Sequence, residues 1–284
     1  MEIKTVGVVG CGLMGSGIVE LVAKGGYNVI VREINDDFFA KGMARVQGSL
    51  ARAVEKNKLS AGDRDATLAR IKPTTQMADL APVDLAIEAA IENLELKKNI
   101  FKDLDAITRP DVILASNTSS LAVTEMAGIT KRATRVIGMH FFNPVPVMPL
   151  LELVRTFLTS DETCAVVRKF GEGLGKQVIV AKDTPGFVVN ALLVPYLLDA
   201  VRMYENGLAT KEDIDTGIRL GLNHPMGPLT LLDFVGLDTT LFIADAVFAD
   251  IKDPRWSAPA LLRRMVAAGY NGRKSGKGFY DYSK

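Results

Sequence analysis

Two side chains in the middle of the sequence could together carry a proton transfer. His140 ends an apolar segment, and Glu152 lies twelve residues later among apolar residues in Leu-Leu-Glu-Leu-Val. A carboxylate in such surroundings is costly unless it is partnered, and a histidine is a natural partner. The carboxylate would orient the imidazole and stabilise its protonated form. Because imidazole is the side chain best suited to take a proton near neutral pH, the pair predicts a general base.

A structural interpretation of the same pair stays open at this point. His140 could be a hydrogen-bonded core histidine, with Glu152 as its ion partner. Oxidation of an alcohol by a nicotinamide needs a base, because the hydroxyl proton leaves as hydride is transferred. A nucleotide site elsewhere in the chain would therefore favour the catalytic interpretation.

A glycine-rich turn near the N-terminus has the features of such a site. The turn Gly10-Cys-Gly-Leu-Met-Gly15 follows the apolar run Thr5–Val9 and opens a segment with helical spacing. The first glycine permits the tight turn, the second lets the backbone approach a pyrophosphate, and the third lets helix and strand pack closely. The helix N-terminus offers N–H groups and a positive dipole to the phosphates. The predicted dinucleotide-binding residues here are Gly10, Gly12, Leu13, Met14 and Gly15.

The residue Glu33 favours NAD over NADP. It stands eighteen residues after Gly15, at the end of the second predicted strand. An acidic residue there accepts hydrogen bonds from the ribose hydroxyls and repels a 2′-phosphate. The neighbouring Arg32 leaves an NADP-preferring variant open, because an arginine can hold that phosphate.

Two further polar features have both a functional and a structural interpretation. The run 116–120, Ser-Asn-Thr-Ser-Ser, follows a predicted strand and could hydrogen-bond substrate and cofactor, or cap a helix. Asn190 lies in the apolar run 187–193 and could bind a substrate carbonyl or satisfy a backbone group in the core.

The order of predicted elements indicates an α/β fold followed by an all-α domain. Strand-like segments alternate with helical ones up to the segment 183–186, which predicts a Rossmann-like, doubly wound parallel sheet. Residues 36–71 are helical and charged throughout, which predicts an inserted helical hairpin. After that segment only helices are expected, at 188–204, 211–220, 229–248 and 259–268. We therefore expect a dinucleotide-binding domain over 1–184 and a helical domain over 185–284.

Composition narrows the range of partners. The formal charge is +1, from 34 basic and 33 acidic residues, which gives no general reason to bind nucleic acid or a membrane. The two cysteines, Cys11 and Cys164, form neither a metal-binding cluster nor a disulfide framework, so no metal site is predicted. We expect a cytoplasmic protein, because no signal-like leader and no apolar run of about 18 residues is present.

Six sequence blocks resemble the 3-hydroxyacyl-CoA dehydrogenases, above all the short bacterial type that acts on 3-hydroxybutyryl-CoA. The resemblance runs essentially from end to end of the chain. The blocks are Gly10-Cys-Gly-Leu-Met-Gly15, Ala115-Ser-Asn-Thr-Ser-Ser-Leu121, Gly138-Met-His-Phe-Phe-Asn-Pro144, Asp183-Thr-Pro-Gly-Phe187, His224-Pro-Met-Gly-Pro228 and Gly272-Arg-Lys-Ser-Gly-Lys-Gly-Phe-Tyr280.

The resemblance implies a role for each site residue. It makes His140 the catalytic base and Glu152 its orienting carboxylate, and it places Ser119 and Asn190 on the substrate oxygens. It places Glu33 at the adenosine ribose. The residues implied for the nicotinamide half of the NAD site are Glu92, Lys97, Asn117, Asn143 and Lys274, and Ser119 is also implied to bind the cofactor.

The resemblance also implies that the substrate is an acyl-CoA. It places Ser49 and Lys56, on the inserted hairpin, against coenzyme A. The hairpin's own pattern agrees, because its basic residues can share one helix face that would meet phosphates, although a solvated face has the same pattern. Those basic residues are Lys41, Arg45, Arg52 and Lys56. A homodimer through the helical domain and an active site in the interdomain cleft are further implications.

The expected reaction is the reversible, NAD-dependent oxidation of an (S)-3-hydroxyacyl-CoA to the 3-oxoacyl-CoA. The sequence leaves the acyl chain length open, and dehydrogenation of a free hydroxy or sugar acid is the alternative. Two positions depart from the family pattern: Ala191 stands where arginine is usual, and Pro149 where lysine is frequent.

Overall fold

The computed structural model describes residues 1–283, which form two compact units. One unit ends at Thr184 and the other begins at Pro185. The division lies inside the segment where predicted strands give way to predicted helices.

The first unit contains an eight-stranded sheet with the strand order β3-β2-β1-β4-β5-β6-β7-β8. The chain runs outward from β1 to β3 and then returns to the other side of β1. Its topological switch point therefore lies between β1 and β4, where open α/β sheets bind ligands. The strands are β1 (Thr5–Val9), β2 (Asn28–Arg32), β3 (Ile71–Thr74), β4 (Leu85–Glu88), β5 (Ile113–Ser116), β6 (Val136–Phe141), β7 (Leu150–Arg155) and β8 (Gln177–Lys182).

Six α-helices accompany this sheet within the described residues. Several begin at a side chain that accepts a backbone N–H of the first turn, as at Asn35, Ser60, Asn93 and Ser160. The helices are α1 (Leu13–Lys24), α2 (Asp36–Glu55), α3 (Ala61–Ala69), α4 (Leu94–Ile107), α5 (Val123–Gly128) and α6 (Asp161–Gly173). Strands β4, β5 and β6 are buried along their whole length, as expected of a sheet covered on both faces. The predicted Rossmann-like fold with an inserted hairpin is confirmed.

Two details of the first unit differ from the prediction. The hairpin helices end at Ala69, and Ile71–Thr74 forms strand β3, which pairs in parallel with β2. Pro73 is tolerated because β3 lies at the sheet edge, where a missing N–H donor costs little. Strands β6 and β7 are antiparallel, contrary to an all-parallel sheet, because the short segment between them contains no helix for a crossover.

The second unit is helical, apart from isolated bridges near its end. The prediction of a single helix over 229–248 is wrong. The structure has two helices there, separated at Gly236, whose φ of +105° suits glycine. The helices are α7 (Val189–Glu205), α8 (Lys211–Gly221), α9 (Pro228–Val235), α10 (Leu237–Ile251) and α11 (Ala260–Ala267). Within residues 1–283, the model contains no helix whose length and apolar character would let it cross a bilayer.

Candidate active site

The glycine turn leaves room for a bound group on one side only. Gly10 has a φ of +99°, and a Cβ there would lie 2.7 Å from the carbonyl oxygen of Ala89. A Cβ on Gly15 would collide with the carbonyl oxygen of Gly10, so helix and strand touch there. A Cβ on Gly12 would meet no atom within 4 Å. The open side of the turn is therefore at Gly12, where the sequence predicts the pyrophosphate.

The N-terminus of α1 has the properties of an anion site. Gly12 is its N-cap and supplies no side-chain acceptor, and the first turn, which starts with Leu13 and Met14, carries no acidic residue. The N–H groups at this end therefore lack the N-cap side-chain acceptor found in most helices of this unit, and no acidic residue of the first turn neutralises the helix dipole. This arrangement fits the pyrophosphate of NAD.

Glu33 is held against the same turn at the end of β2. Its Oε1 accepts a hydrogen bond from the backbone N–H of Cys11 at 2.6 Å, and its Oε2 accepts one from Ile34 at 2.9 Å. Burial and the Glu33 charge raise the pKa of the Cys11 thiol to about 11, so this cysteine is a neutral packing residue. The Glu33 carboxylate thus lies beside the turn, where ribose hydroxyls can donate to it.

The paired strands β6 and β7 bring His140 and Glu152 together. The two residues lie directly opposite each other in the antiparallel register, and both side chains point to the same face. The Nδ1 of His140 lies 2.6 Å from the Oε2 of Glu152, and both side chains are buried. The antiparallel register of β6 and β7 thus produces this pairing.

Asn117 ties the end of β5 to the end of β6, next to the histidine. Its side-chain Oδ1 accepts a hydrogen bond from the backbone N–H of Phe141 at 3.0 Å, and its backbone N–H donates to the carbonyl oxygen of Glu88 at 2.8 Å. The predicted cofactor residue Asn117 therefore aligns three strand ends at the edge where His140 lies.

A buried network of charges joins β4, β5 and α4. Lys97 Nζ lies 2.7 Å from Oε1 of Glu88 and 3.3 Å from Oε2 of Glu92. The other oxygen of Glu92 accepts from the backbone N–H of Ser119 at 2.8 Å and from its hydroxyl at 3.2 Å. The structure thus brings three predicted residues, Glu92, Lys97 and Ser119, into one cluster.

Sequence reasoning missed Glu88, the buried end of this network. Its carboxylate is fully buried, and Ser116 donates its hydroxyl to Oε2 at 2.6 Å. The signal was present in the sequence, because Glu88 directly follows the apolar residues 85–87, much as Glu152 interrupts its own apolar segment. Both carboxylates lie among apolar residues and therefore need a partner.

A cavity of about 300 Å³ lies between α1, the hairpin helix α2 and the loop after β6. Ser49 and Asn143 line it, together with Arg45 and Arg52 of the basic face. Ser49 donates its hydroxyl to Glu20 at 3.0 Å, and burial raises the pKa of Glu20. Lys56, just after α2, is exposed and is not among the lining residues.

Two predicted site residues belong to the second unit. Asn190 is buried in the first turn of α7, and Lys274 forms an ion pair of 2.6 Å with Asp238. Their roles in the active site stay predictions. Within the described part of the chain, no group of three or more acidic, histidine or cysteine side chains could hold a metal ion.

Comparison with known proteins identifies the family. A family model described as 3-hydroxyacyl-CoA dehydrogenase, NAD binding domain, matches residues 5–184, and the C-terminal domain model of the same family matches residues 186–282. The chain is 51% identical over 282 residues to a 3-hydroxybutyryl-CoA dehydrogenase of Mycobacterium tuberculosis, covering 99% of both chains. It is 45% identical to the human mitochondrial hydroxyacyl-coenzyme A dehydrogenase, over 99% of this chain and 91% of that one.

A solved structure agrees with these relatives. The (S)-3-hydroxybutyryl-CoA dehydrogenase of Ralstonia eutropha superimposes with a TM-score of 0.95 at 49% identity, covering 100% of both chains. The chain therefore belongs to the 3-hydroxyacyl-CoA dehydrogenase family and is an NAD-dependent oxidoreductase acting on CH–OH groups.

Proposed function

We propose that this enzyme reversibly oxidises (S)-3-hydroxybutyryl-CoA, and closely related (S)-3-hydroxyacyl-CoA thioesters, to the 3-oxoacyl-CoA. The observation that carries the proposal is the buried contact of 2.6 Å between His140 and Glu152, on the same sheet as the glycine turn. Bound NAD supplies the hydride acceptor. Relatives that bear the name 3-hydroxybutyryl-CoA dehydrogenase support the choice of substrate.

His140 is the general base in this proposal. Glu152 engages Nδ1, so the proton exchanged with the substrate hydroxyl is assigned to Nε2. The fully buried carboxylate stabilises the imidazolium that forms as the proton moves, because few water molecules compete for that charge. In the reverse direction the same imidazolium returns its proton to the substrate oxygen.

Ser119 and Asn190 are proposed to hydrogen-bond the substrate oxygens. Ser119 lies after β5, at the same sheet edge as His140, and Glu92 orients its hydroxyl and its backbone N–H. The assignment of Asn190, which lies on the second unit, is supported by the family resemblance.

The coenzyme A moiety is proposed to lie along the hairpin face of the first unit. Arg45 and Arg52 give the cavity beside Ser49 a positive charge that suits phosphate groups, and Lys56 extends the same face toward solvent. Asn143 also lines this cavity.

We also infer a cytoplasmic homodimer that assembles through the second unit. Large apolar side chains are exposed on its helices and loops, which is typical of a surface buried in a complex. They include Leu192, Leu208, Leu220, Leu222, Phe234 and Phe242. Light scattering of the purified protein should give about twice the chain mass of 30.7 kDa.

The experiment that tests the substrate compares acetoacetyl-CoA with free acetoacetate, each with NADH and with NADPH. We expect kcat/KM for the thioester to exceed that for the free acid by about 100-fold or more, because binding energy from coenzyme A is used at the reacting carbon. Equal or better turnover of the free acid would favour the alternative substrate class. In addition, His140→Gln should lose about 100-fold or more in kcat while it still binds NADH.

A further inference from the structure

We propose that Glu88 is a positioning residue that strengthens the binding of oxidised nicotinamide relative to that of reduced nicotinamide. It would do so by neutralising Lys97, which leaves the negative charge of Glu92 unbalanced. This inference rests on the proposed placement of the nicotinamide half of NAD beside Glu92 and Lys97.

The structure holds Glu88 in one arrangement. Its Oε1 accepts from Lys97 Nζ at 2.7 Å and from the backbone N–H of Ala90 at 2.7 Å, while its Oε2 accepts from Ser116 at 2.6 Å. Glu88 is 0% exposed and Lys97 is 1% exposed. The Ala90 N–H and the Ser116 hydroxyl hold the buried carboxylate of Glu88 in place, and the carboxylate in turn fixes the position of the Lys97 ammonium group.

The charges of the cluster do not cancel. Two carboxylates, Glu88 and Glu92, face one ammonium, so the three side chains together carry one negative charge. Lys97 lies nearer to Glu88, at 2.7 Å, than to Glu92, at 3.3 Å. Oε2 of Glu92 is buried and lies at ion-pair distance from Lys97, but this contact is not a hydrogen bond, and among residues 1–283 no other donor bonds this oxygen. The excess negative charge therefore lies on Glu92, whose side chain is 23% exposed, at the outer end of the cluster.

The topology of the sheet places this charge on the nicotinamide side. A dinucleotide lies across the switch point of a doubly wound sheet, with one half on each side. Glu33, on the β2 side of the glycine turn, belongs to the adenosine half. The ends of β4 and β5, where Glu88, Glu92 and Ser119 lie, then belong to the other half.

The two redox states of nicotinamide differ in charge at this location. The ring is cationic in NAD⁺ and neutral in NADH, so one unbalanced negative charge stabilises the oxidised form selectively. In a buried environment the effective dielectric is far below that of water, and the selectivity is correspondingly large. If Glu88 lost its charge, Lys97 would neutralise Glu92 and the selectivity would fall.

The test measures the dissociation constants of NAD⁺ and NADH, by calorimetry and by nicotinamide fluorescence, for wild type and Glu88→Gln. We expect the ratio Kd(NAD⁺)/Kd(NADH) to rise about threefold or more in Glu88→Gln, because a cation near Glu92 is no longer favoured. The matched control is Glu95→Gln, which removes the same charge from an exposed position on α4 and should leave the ratio unchanged.

A double variant separates charge from structure. Glu88→Gln with Lys97→Met removes the buried pair together and restores one net negative charge, so the ratio should return to within about twofold of wild type. Glu92→Gln removes the negative charge itself from a partly exposed position and should also raise Kd(NAD⁺)/Kd(NADH). This variant therefore tests the effect of the charge if Glu88→Gln does not fold. A parallel rise of both dissociation constants in Glu88→Gln, or an unchanged ratio, would overturn the proposal. Failure of the wild type to bind either nucleotide would instead refute the cofactor site.

Discussion

Replacing Glu152 by glutamine tests the catalytic pair most directly. Glutamine has nearly the same shape as glutamate, so the buried site on β7 keeps its packing while the negative charge is lost. The contact concerned is the one of 2.6 Å between Glu152 and His140, in which the carboxylate is 0% exposed.

The magnitude follows from this burial. Removing one partner of a buried ion pair costs about 3–5 kcal/mol, because the remaining charge loses its compensation. As the proposed general base, His140 gains that charge when it takes the substrate proton, so most of the cost is expected in the transition state. Since about 1.4 kcal/mol corresponds to a factor of ten in rate, kcat should fall by about 100-fold to a few thousandfold.

The assay follows NADH absorbance at saturating acetoacetyl-CoA, with NADH binding measured separately by fluorescence. We expect kcat to fall as stated while Kd for NADH changes by less than about twofold, since Glu152 is assigned to the proton and not to the cofactor. Glu172→Gln, an exposed carboxylate at the end of α6, is the control and should retain wild-type kcat. A kcat of Glu152→Gln within about threefold of wild type would refute the reasoning.

Three further predictions follow from the structure. First, Gly12→Ala should leave the Tm of the apoprotein within about 2 °C of wild type but weaken NADH binding about tenfold or more. Gly15→Ala should lower both the Tm and the affinity for NADH, because only the Cβ at position 15 collides with the protein. Second, burial raises the pKa of the Cys11 thiol from 9.0 to about 11, so the unfolded chain loses this proton at lower pH than the folded one, and the free energy of unfolding falls as pH rises from 9 to 11. Urea titrations across this pH range should show a smaller fall in Cys11→Ala than in wild type. Equal falls in the two proteins would contradict the pKa shift. Third, Asp215 accepts from the backbone N–H groups of Leu229 and Thr230 and from the hydroxyl of Tyr280, so Asp215→Ala should lower the free energy of unfolding by about 2–4 kcal/mol. Asp245→Ala, which removes only an exposed ion pair with Arg263, should cost about 1 kcal/mol or less in the same denaturation measurement.

Much of the fold could be predicted because it depends on local patterns. Strand β1 and helices α1 and α4 have the predicted bounds, since an apolar run marks the strand and a helical spacing of residues marks each helix. Strand β3 could not be found this way. Its sequence, Ile-Lys-Pro-Thr, has little strand character, and only pairing with β2 makes it a strand.

The site shows the same division between local and tertiary information. Residue types and their spacing identify the residues capable of chemistry: a histidine at a strand end, an acidic residue among leucines, and glycines at the spacing of a dinucleotide turn. Which of these residues contact one another depends on the folded arrangement of the strands. The reversal of β7 places Glu152 opposite His140, and the parallel neighbours β4 and β5 bring Glu88 into reach of Ser116. Distances between strands depend on sheet register, and register is set by packing across the whole sheet, which no local stretch of sequence contains.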